Sequence, residues 1–346
     1  MAVGKNTLLD ISEIPAAITN IINNRNLFKE IGSRISSYEF NKVFLIGCGS
    51  SFYIGVVVSY LLKRLLQNKC IKALPSSELL LYEHVNLDER SLVIGFSRSG
   101  NTAETVSALE LAKSKGSKTV LLSINKESKG SRIVDEYVYV DVGVERGIVM
   151  TKSFVSLTLA GLLLSDSISG PSEAIGSQAL SKFSSFVNKV IDDKEHYLNL
   201  GKELALSSYE RFVFLGSGPS YGIALEASLK FKETSYIATE AIHALEFRHG
   251  PMATVNEKQV EFIINPTGES FEVVYRLYKD IVNIGGKVIR LSDERKPDIL
   301  LANTGVEELN ALEAIVPLQY IAMGYALAKG KDPDNPRNLT RVVEKF

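Results

Sequence analysis

One glycine-rich string occurs twice in this 346-residue chain at a fixed spacing, and that duplication constrains the fold more than any other feature. Val43-Phe-Leu-Ile-Gly-Cys-Gly-Ser-Ser51 matches Phe212-Val-Phe-Leu-Gly-Ser-Gly-Pro-Ser220, so that Gly47, Gly49 and Ser51 fall on Gly216, Gly218 and Ser220, each 169 residues further on. The same shift carries Gly116-Ser-Lys-Thr-Val-Leu-Leu-Ser123 onto Gly285-Gly-Lys-Val-Ile-Arg-Leu-Ser292. Chance can give one such match; two at one offset point to a duplicated unit. Two homologous subdomains are therefore expected at residues 30–170 and 200–330. An N-terminal helical segment (1–29) precedes them, a polar helical connector (171–199) joins them, and a turn-rich tail (331–346) follows.

In each half, short β-branched runs alternate with helical periodicity. Strands are expected at 42–47, 71–74, 92–96, 118–123 and 137–141, with helices at 52–67, 103–115 and 153–165. In the second half the strands are 211–215, 261–265 and 287–291, and the helices 221–232, 270–284 and 310–329. Nearly continuous apolar strands alternating with helices imply a parallel sheet covered on both faces, hence an α/β fold.

Composition excludes some functions. Lys plus Arg number 39 against 40 for Asp plus Glu, a net charge of −1 that argues against nucleic-acid binding through bulk electrostatics. Cys48 and Cys70 have neither zinc-ligand spacing nor a disulfide framework, which fits a reducing cytoplasm. Residues 1–25 mix charge with short apolar runs and carry no signal-peptide pattern. The apolar run at 154–164 is about half a membrane span, so it reads as a buried helix and no membrane partner is expected.

Two serine-rich turns stand where strands give way to helices: Gly47-Cys-Gly-Ser-Ser51 and Ser97-Arg-Ser-Gly-Asn-Thr102. Such turns present unpaired N–H groups and a positive helix end, glycine lets an anion approach, and hydroxyls add donors, which together suit a phosphate. Ser51 and Thr102 would equally serve as plain helix caps. The Gly-x-Gly lacks its third glycine, position 52 being Phe, so a phosphorylated small molecule fits better than a dinucleotide. In the second half the counterpart of 97–102 is Pro266-Thr-Gly-Glu-Ser-Phe271, where Glu269 would repel a phosphate.

Glu226, Lys230 and Glu233 share one face of a helix by their spacing of four and three. They can move protons beside a carbonyl, or they can be a solvated salt-bridge ladder. His84 and His196 read as surface residues and His243 as structural. His249, before Gly250-Pro251, sits on a constrained loop where an imidazole can exchange protons near neutral pH. No pair of histidines has metal-ligand spacing, so neither a metal nor a cofactor is expected.

Six strings occur in family order: Cys48-Gly-Ser-Ser51, Ser97-Arg-Ser-Gly-Asn-Thr102, Glu145-Arg-Gly-Ile-Val-Met-Thr-Lys-Ser-Phe154, Ala224-Leu-Glu-Ala-Ser-Leu-Lys-Phe-Lys-Glu233, Glu246-Phe-Arg-His-Gly-Pro251 and Asn335-Pro-Arg-Asn-Leu339. Together the chain resembles the sugar isomerase (SIS) family, in particular the isomerase half of glucosamine-6-phosphate synthase without its glutaminase half. That half needs a cysteine after the initiator methionine, and position 2 is Ala. Stand-alone SIS-type glucosamine-6-phosphate deaminases are similar. The resemblance implies two flavodoxin-like subdomains and a hexose phosphate bound by Ser50, Ser51, Ser97, Arg98, Ser99 and Thr102. It implies Glu233 as the C1–C2 proton shuttle, Lys230 in support, and His249 as the ring-opening group reaching across a homodimer.

Two departures matter. Arg341 stands where the synthase has a Schiff-base lysine in the tail over its active site, and arginine stays protonated and cannot be that nucleophile. Lys345 is a weak substitute, and Met150 replaces a loop serine. An amino-sugar-phosphate deaminase needs no Schiff base, because its substrate already carries the nitrogen. Ammonia-dependent synthesis and deglycation of a sugar-amine phosphate are the alternatives. A sugar-phosphate sensor is a third reading, but the 41 residues before Lys42 are too few and not basic enough for a DNA-binding unit.

Overall fold

The structure, a computed structural model, describes residues 3–170 and 173–343. In chain order the elements are α1 (Lys5–Ser12), α2 (Ile14–Asn23), α3 (Arg25–Ser36), β1 (Lys42–Gly47), α4 (Ser50–Leu65), β2 (Cys70–Pro75), α5 (Ser76–Leu81), β3 (Ser91–Phe96), α6 (Ala103–Ser114), β4 (Lys118–Ser123), β5 (Glu136–Tyr139) and α7 (Lys152–Ile168). They continue with α8 (Ser177–Asp192), α9 (Lys194–Leu206), β6 (Arg211–Gly216), α10 (Pro219–Ser235), β7 (Ala238–His243), β8 (Gln259–Ile264), α11 (Phe271–Asn283), β9 (Lys287–Ser292), β10 (Ile299–Leu300), α12 (Glu307–Glu313) and α13 (Ile315–Ala328).

Two compact units result. One comprises Ala16–Glu145, Lys152–Gly176 and Thr340–Phe346; the other comprises Met1–Pro15, Arg146–Thr151 and Ser177–Leu339. The first holds a parallel sheet in the order β2-β1-β3-β4-β5, the second a parallel sheet in the order β10-β9-β8-β6-β7. Counted from the first strand of each half, both are the doubly wound 2-1-3-4-5 arrangement, with helices on both sides. The two tandem α/β subdomains read from the repeat are thus present. Sequence explains the centre best: β3 and β8 are buried along their whole length, as continuous apolar runs require, whereas the edge strand β2 alternates.

The repeat glycines have a common steric cause. A Cβ on Gly47 would lie 2.4 Å from the Ser51 carbonyl carbon, and one on Gly216 would lie 2.3 Å from the Ser220 oxygen. Gly49 and Gly218 hold φ of 54° and 59°, a left-handed conformation that cheaply turns a strand into a helix. Each unit adds a buried helix crossing. In the first, α7 packs on α3 and α4, and a Cβ on Gly32 would lie 2.4 Å from Ser167 Cβ. In the second, α13 lies against α9 so closely that Gly201 and Gly324 face the opposing backbone, where a Cβ would meet Ile321 and Leu198 carbonyl oxygens at 2.1 Å.

Several elements differ from expectation, among them the short helix α5 and the two-residue strand β10, which were not expected. The helix expected at 310–329 breaks at Ala314 into α12 and α13. That segment, Glu307–Ala328, is long and apolar enough to cross a membrane, and 89% of its apolar window is buried inside the protein, where it forms core. Strand β7 was not foreseen, because Ala-Thr-Glu-Ala-Ile-His lacks a run of β-branched residues and sits half exposed at a sheet edge. Helices also fill 5–36 rather than ending at 29.

Candidate functional site

In the first unit both serine-rich turns sit at the carboxyl ends of adjacent strands. β1 pairs with β3, and between them the strand order reverses, which opens a crevice at that end of a doubly wound sheet. Ser50 and Ser51, each 6% exposed, start α4; Ser97, 1% exposed, follows β3, and Thr102 precedes α6. The hydroxyls of Ser97 and Thr102 lie 3.1 Å apart, and Ser97 Oγ accepts the Gly100 N–H at 3.0 Å. Ser99 Oγ accepts the Asn101 N–H at 3.1 Å, while Ser123 and Asn125 donate to the carbonyls of Arg98 and Ser99. Thr102, the N-cap of α6, makes no side-chain cap bond, and Ser51 lies inside the first turn of α4, whose N-cap is Gly49. The plain-cap reading therefore loses its support. The turn is instead held rigid from behind, with a positive-φ glycine at Gly100 and hydroxyls grouped at two helix starts.

Arg98 is placed differently from the serines. It is 8% exposed, and its guanidinium donates to Glu145 Oε2 at 3.4 Å and to the Arg341 carbonyl at 2.8 Å. Arg341 Nη2 donates in turn to the Glu145 carbonyl. The Ala103 N–H at the start of α6 donates to the Val343 carbonyl at 3.1 Å. The tail thus reaches the start of the helix that Thr102 precedes, while Lys345 lies outside the described residues. Glu145 had no role in the sequence reading, although its string was noticed. Its carboxylate is fully buried and also accepts the Ser153 N–H at 2.8 Å and the Ser153 hydroxyl at 2.6 Å.

In the second unit the equivalent turn is closed by the chain itself. A Cβ on Gly268 would lie 2.2 Å from Glu307 Cδ, and one on Gly218 would lie 3.6 Å from Glu307 Oε1. The Glu269 N–H points to Glu307 Oε2 at 3.4 Å. A carboxylate thus sits beside the turn whose counterpart carries Ser97 and Thr102. Sequence reasoning named Glu269 as the obstacle and missed Glu307, which is 38 residues away and reaches the turn only through the fold.

The charged triad on α10 is buried. Lys230 Nζ lies 3.1 Å from Glu226 Oε1 and 2.6 Å from Glu233 Oε2, with side-chain exposures of 2% for Lys230, 0% for Glu226 and 19% for Glu233. These burials rule out a solvated ladder. Burial alone would push the Lys230 ammonium towards neutrality, but the two carboxylates outweigh it and raise its pKa. Burying three charges carries a desolvation cost that their pairing offsets only in part, so the group is weak evidence for stability. The turn that opens α10 does not position the triad. Glu233 follows Pro219 by 14 residues, about 21 Å along a helix rising ~1.5 Å per residue.

His249 is exposed just after a short 3-10 turn that ends at Arg248, with Gly250 at φ 127° behind it. His196 is exposed, His84 is half-buried, and His243 ends β7 against Tyr221, their rings 5.8 Å apart. The loop with Met150 is anchored within the second unit by Asp10 on α1, whose buried carboxylate accepts the N–H groups of Arg146 and Gly147 at 2.8 and 2.7 Å. A cavity of about 480 Å³ in the first unit, lined by Arg25, Lys29, Asp166 and Glu173 among others, contains none of the residues foreseen as functional. Its charges lie close to one another, Arg25 to Asp166 at 3.7 Å and Lys29 to Glu173 at 3.5 Å. Among the described residues no three His, Cys, Asp or Glu side chains are grouped to hold a metal.

Comparison with known proteins matches the SIS domain family to residues 38–165 and 205–322, once in each half. A glutamine–fructose-6-phosphate aminotransferase (isomerizing) of Thermococcus kodakarensis is 32% identical over 352 residues, covering 97% of this chain and 57% of its own. The chain therefore spans little more than half the length of such relatives. A crystal structure of glucosamine-6-phosphate deaminase from Thermotoga maritima superposes with a TM-score of 0.74 at 28% identity, covering 96% of this chain and 99% of that one. The C-terminal domain of glucosamine-fructose-6-phosphate aminotransferase from Francisella tularensis gives 0.79 at 25% identity, covering 96% and 98%.

Proposed function

The chain belongs to the SIS domain family, and from that premise we propose that it is a cytoplasmic enzyme converting glucosamine 6-phosphate and water to fructose 6-phosphate and ammonia. The observation that carries the reading is the buried Glu226–Lys230–Glu233 group, whose outermost carboxylate alone keeps some exposure. The substrate phosphate is assigned to the hydroxyls of Ser50, Ser51, Ser97, Ser99 and Thr102 and to the helix starts beside them.

In the proposed reaction His249, contributed by a partner in a homodimer, assists opening of the sugar ring to the C1 aldehyde. The Glu233 carboxylate removes the C2 proton, and the electron pair of that C–H bond forms an enolamine. Returning the proton to C1 leaves an imine at C2. Water adds to this imine, the C–N bond breaks, ammonia leaves, and the ketone of fructose 6-phosphate remains. Lys230 holds Glu233 in place and balances its charge. Arg341, which cannot form a Schiff base, contributes by holding the tail near the phosphate turn.

Free ammonia measured from a panel of hexosamine 6-phosphates tests the proposal. Turnover of glucosamine 6-phosphate is the expected result, and ammonia from none of the panel would refute it. Synthesis from fructose 6-phosphate at high ammonia, or release of an amine from a glycated amine phosphate, would assign the same machinery to the alternative reactions. The glutamine–fructose-6-phosphate aminotransferases to which the chain is similar are named for the synthetic direction, which keeps that direction in the panel.

A further inference from the structure

We infer that Arg98 is a tail-positioning residue: paired with Glu145, it latches residues 341–343 onto the start of α6 and does not itself bind the phosphate. The inference builds on the assignment of this turn to a phosphate, but the latch is visible without any ligand. Glu145 provides the fixed point. Its carboxylate takes the N–H and hydroxyl of Ser153 at the first turn of α7, where the helix end favours negative charge. Arg98 spans from this carboxylate to the Arg341 carbonyl, one guanidinium joining the strand-end turn to the tail. Arg341 closes the loop by donating to the Glu145 carbonyl. Val343 then lands on the Ala103 N–H, the first donor of α6 and the neighbour of Thr102.

Three properties of arginine are used here. Its planar fork serves two acceptors at once, it stays charged when 8% exposed, and its charge is balanced by Glu145. A glutamine at position 98 has no charge to satisfy Glu145 and a shorter reach. A guanidinium already paired with a buried carboxylate adds little field at the phosphate position.

Amide hydrogen exchange and binding of inorganic phosphate, both on the full chain, test the latch. Losing one charge-assisted bond of about 1.5 kcal/mol should speed exchange of the Ala103 amide about tenfold in R98Q. R341A, which removes the separate bond to the Glu145 carbonyl, should do the same, and the double variant, which loses both tethers of the tail, should exchange faster than either single variant. R98K, which keeps charge without the fork, should restore part of the protection. The phosphate dissociation constant of R98Q should match that of the wild type, and with glucosamine 6-phosphate kcat should fall while KM holds. Unchanged Ala103 exchange in R98Q and R341A overturns the latch. So does a rise of about tenfold in the phosphate dissociation constant of R98Q, which would make Arg98 a phosphate ligand. Should R98Q not fold, R341A at an exposed tail position decides by exchange alone. Absence of phosphate binding by the wild type would count against the proposed reaction and leave the exchange result standing.

Discussion

Replacing Glu313 with glutamine should stabilise the protein by an amount that grows with pH. Glu313 closes α12 with a side chain that is 0% exposed, and neither carboxyl oxygen has a hydrogen bond of good geometry. Burial, with a smaller contribution from Asp293, raises its pKa from 4.5 to about 9, while the Ala302 N–H opposes the shift. The sign follows from proton counting. Between about pH 4.5 and 9 the unfolded chain has released this proton and the folded chain retains it, so the folded state binds more protons and stability falls as pH rises. At ~1.4 kcal/mol per pKa unit over the span from pH 4.5 to pH 7, the penalty at pH 7 is at most about 3.5 kcal/mol. Glutamine removes the titration but leaves an amide to satisfy, at a cost of about 1 kcal/mol, so a net gain of up to about 2.5 kcal/mol is expected at pH 7. Near pH 4.5 the gain should vanish or reverse. Urea unfolding of both proteins at pH 5, 6, 7 and 8 measures this. A difference that does not change with pH would refute the reasoning, because the carboxyl would then titrate alike in both states.

Three further outcomes follow from the geometry. Ser97→Ala together with Thr102→Ala should weaken inorganic phosphate binding by about tenfold or more, as two hydroxyls worth ~1 kcal/mol each are lost, and calorimetry checks it. Gly268→Ala should cost less than about 1 kcal/mol in urea unfolding, because the group its Cβ would meet at 2.2 Å is the end of the flexible Glu307 side chain, which can swing aside, and Glu307→Ala in the same chain should remove even that cost. Glu233→Gln should reduce turnover about 100- to 10,000-fold with phosphate binding retained, and full activity in this variant would end the proton-shuttle assignment.

The sequence by itself determined the duplicated α/β architecture, because its cause is local and repeated. Gly47 and Gly216 must lack a Cβ where the chain doubles back on itself, and Gly49 and Gly218 must take a positive φ. Such demands show in the sequence of either half, and the common spacing exposes the repeat. The helical spacing of Glu226, Lys230 and Glu233 was equally legible, since a helix fixes neighbours three and four residues apart. Their burial was not, because it depends on what the rest of the unit packs around α10. Tertiary structure alone brought Glu145 and Arg341, 196 residues apart, to one hydrogen bond and turned Arg98 towards the tail. It alone seated Glu307 beside Gly268 and buried the Glu313 carboxyl away from water. These contacts rest on where distant strands and helices end in space, which a periodic pattern of apolar residues specifies for an element's inner face and leaves open for the charged residues between elements.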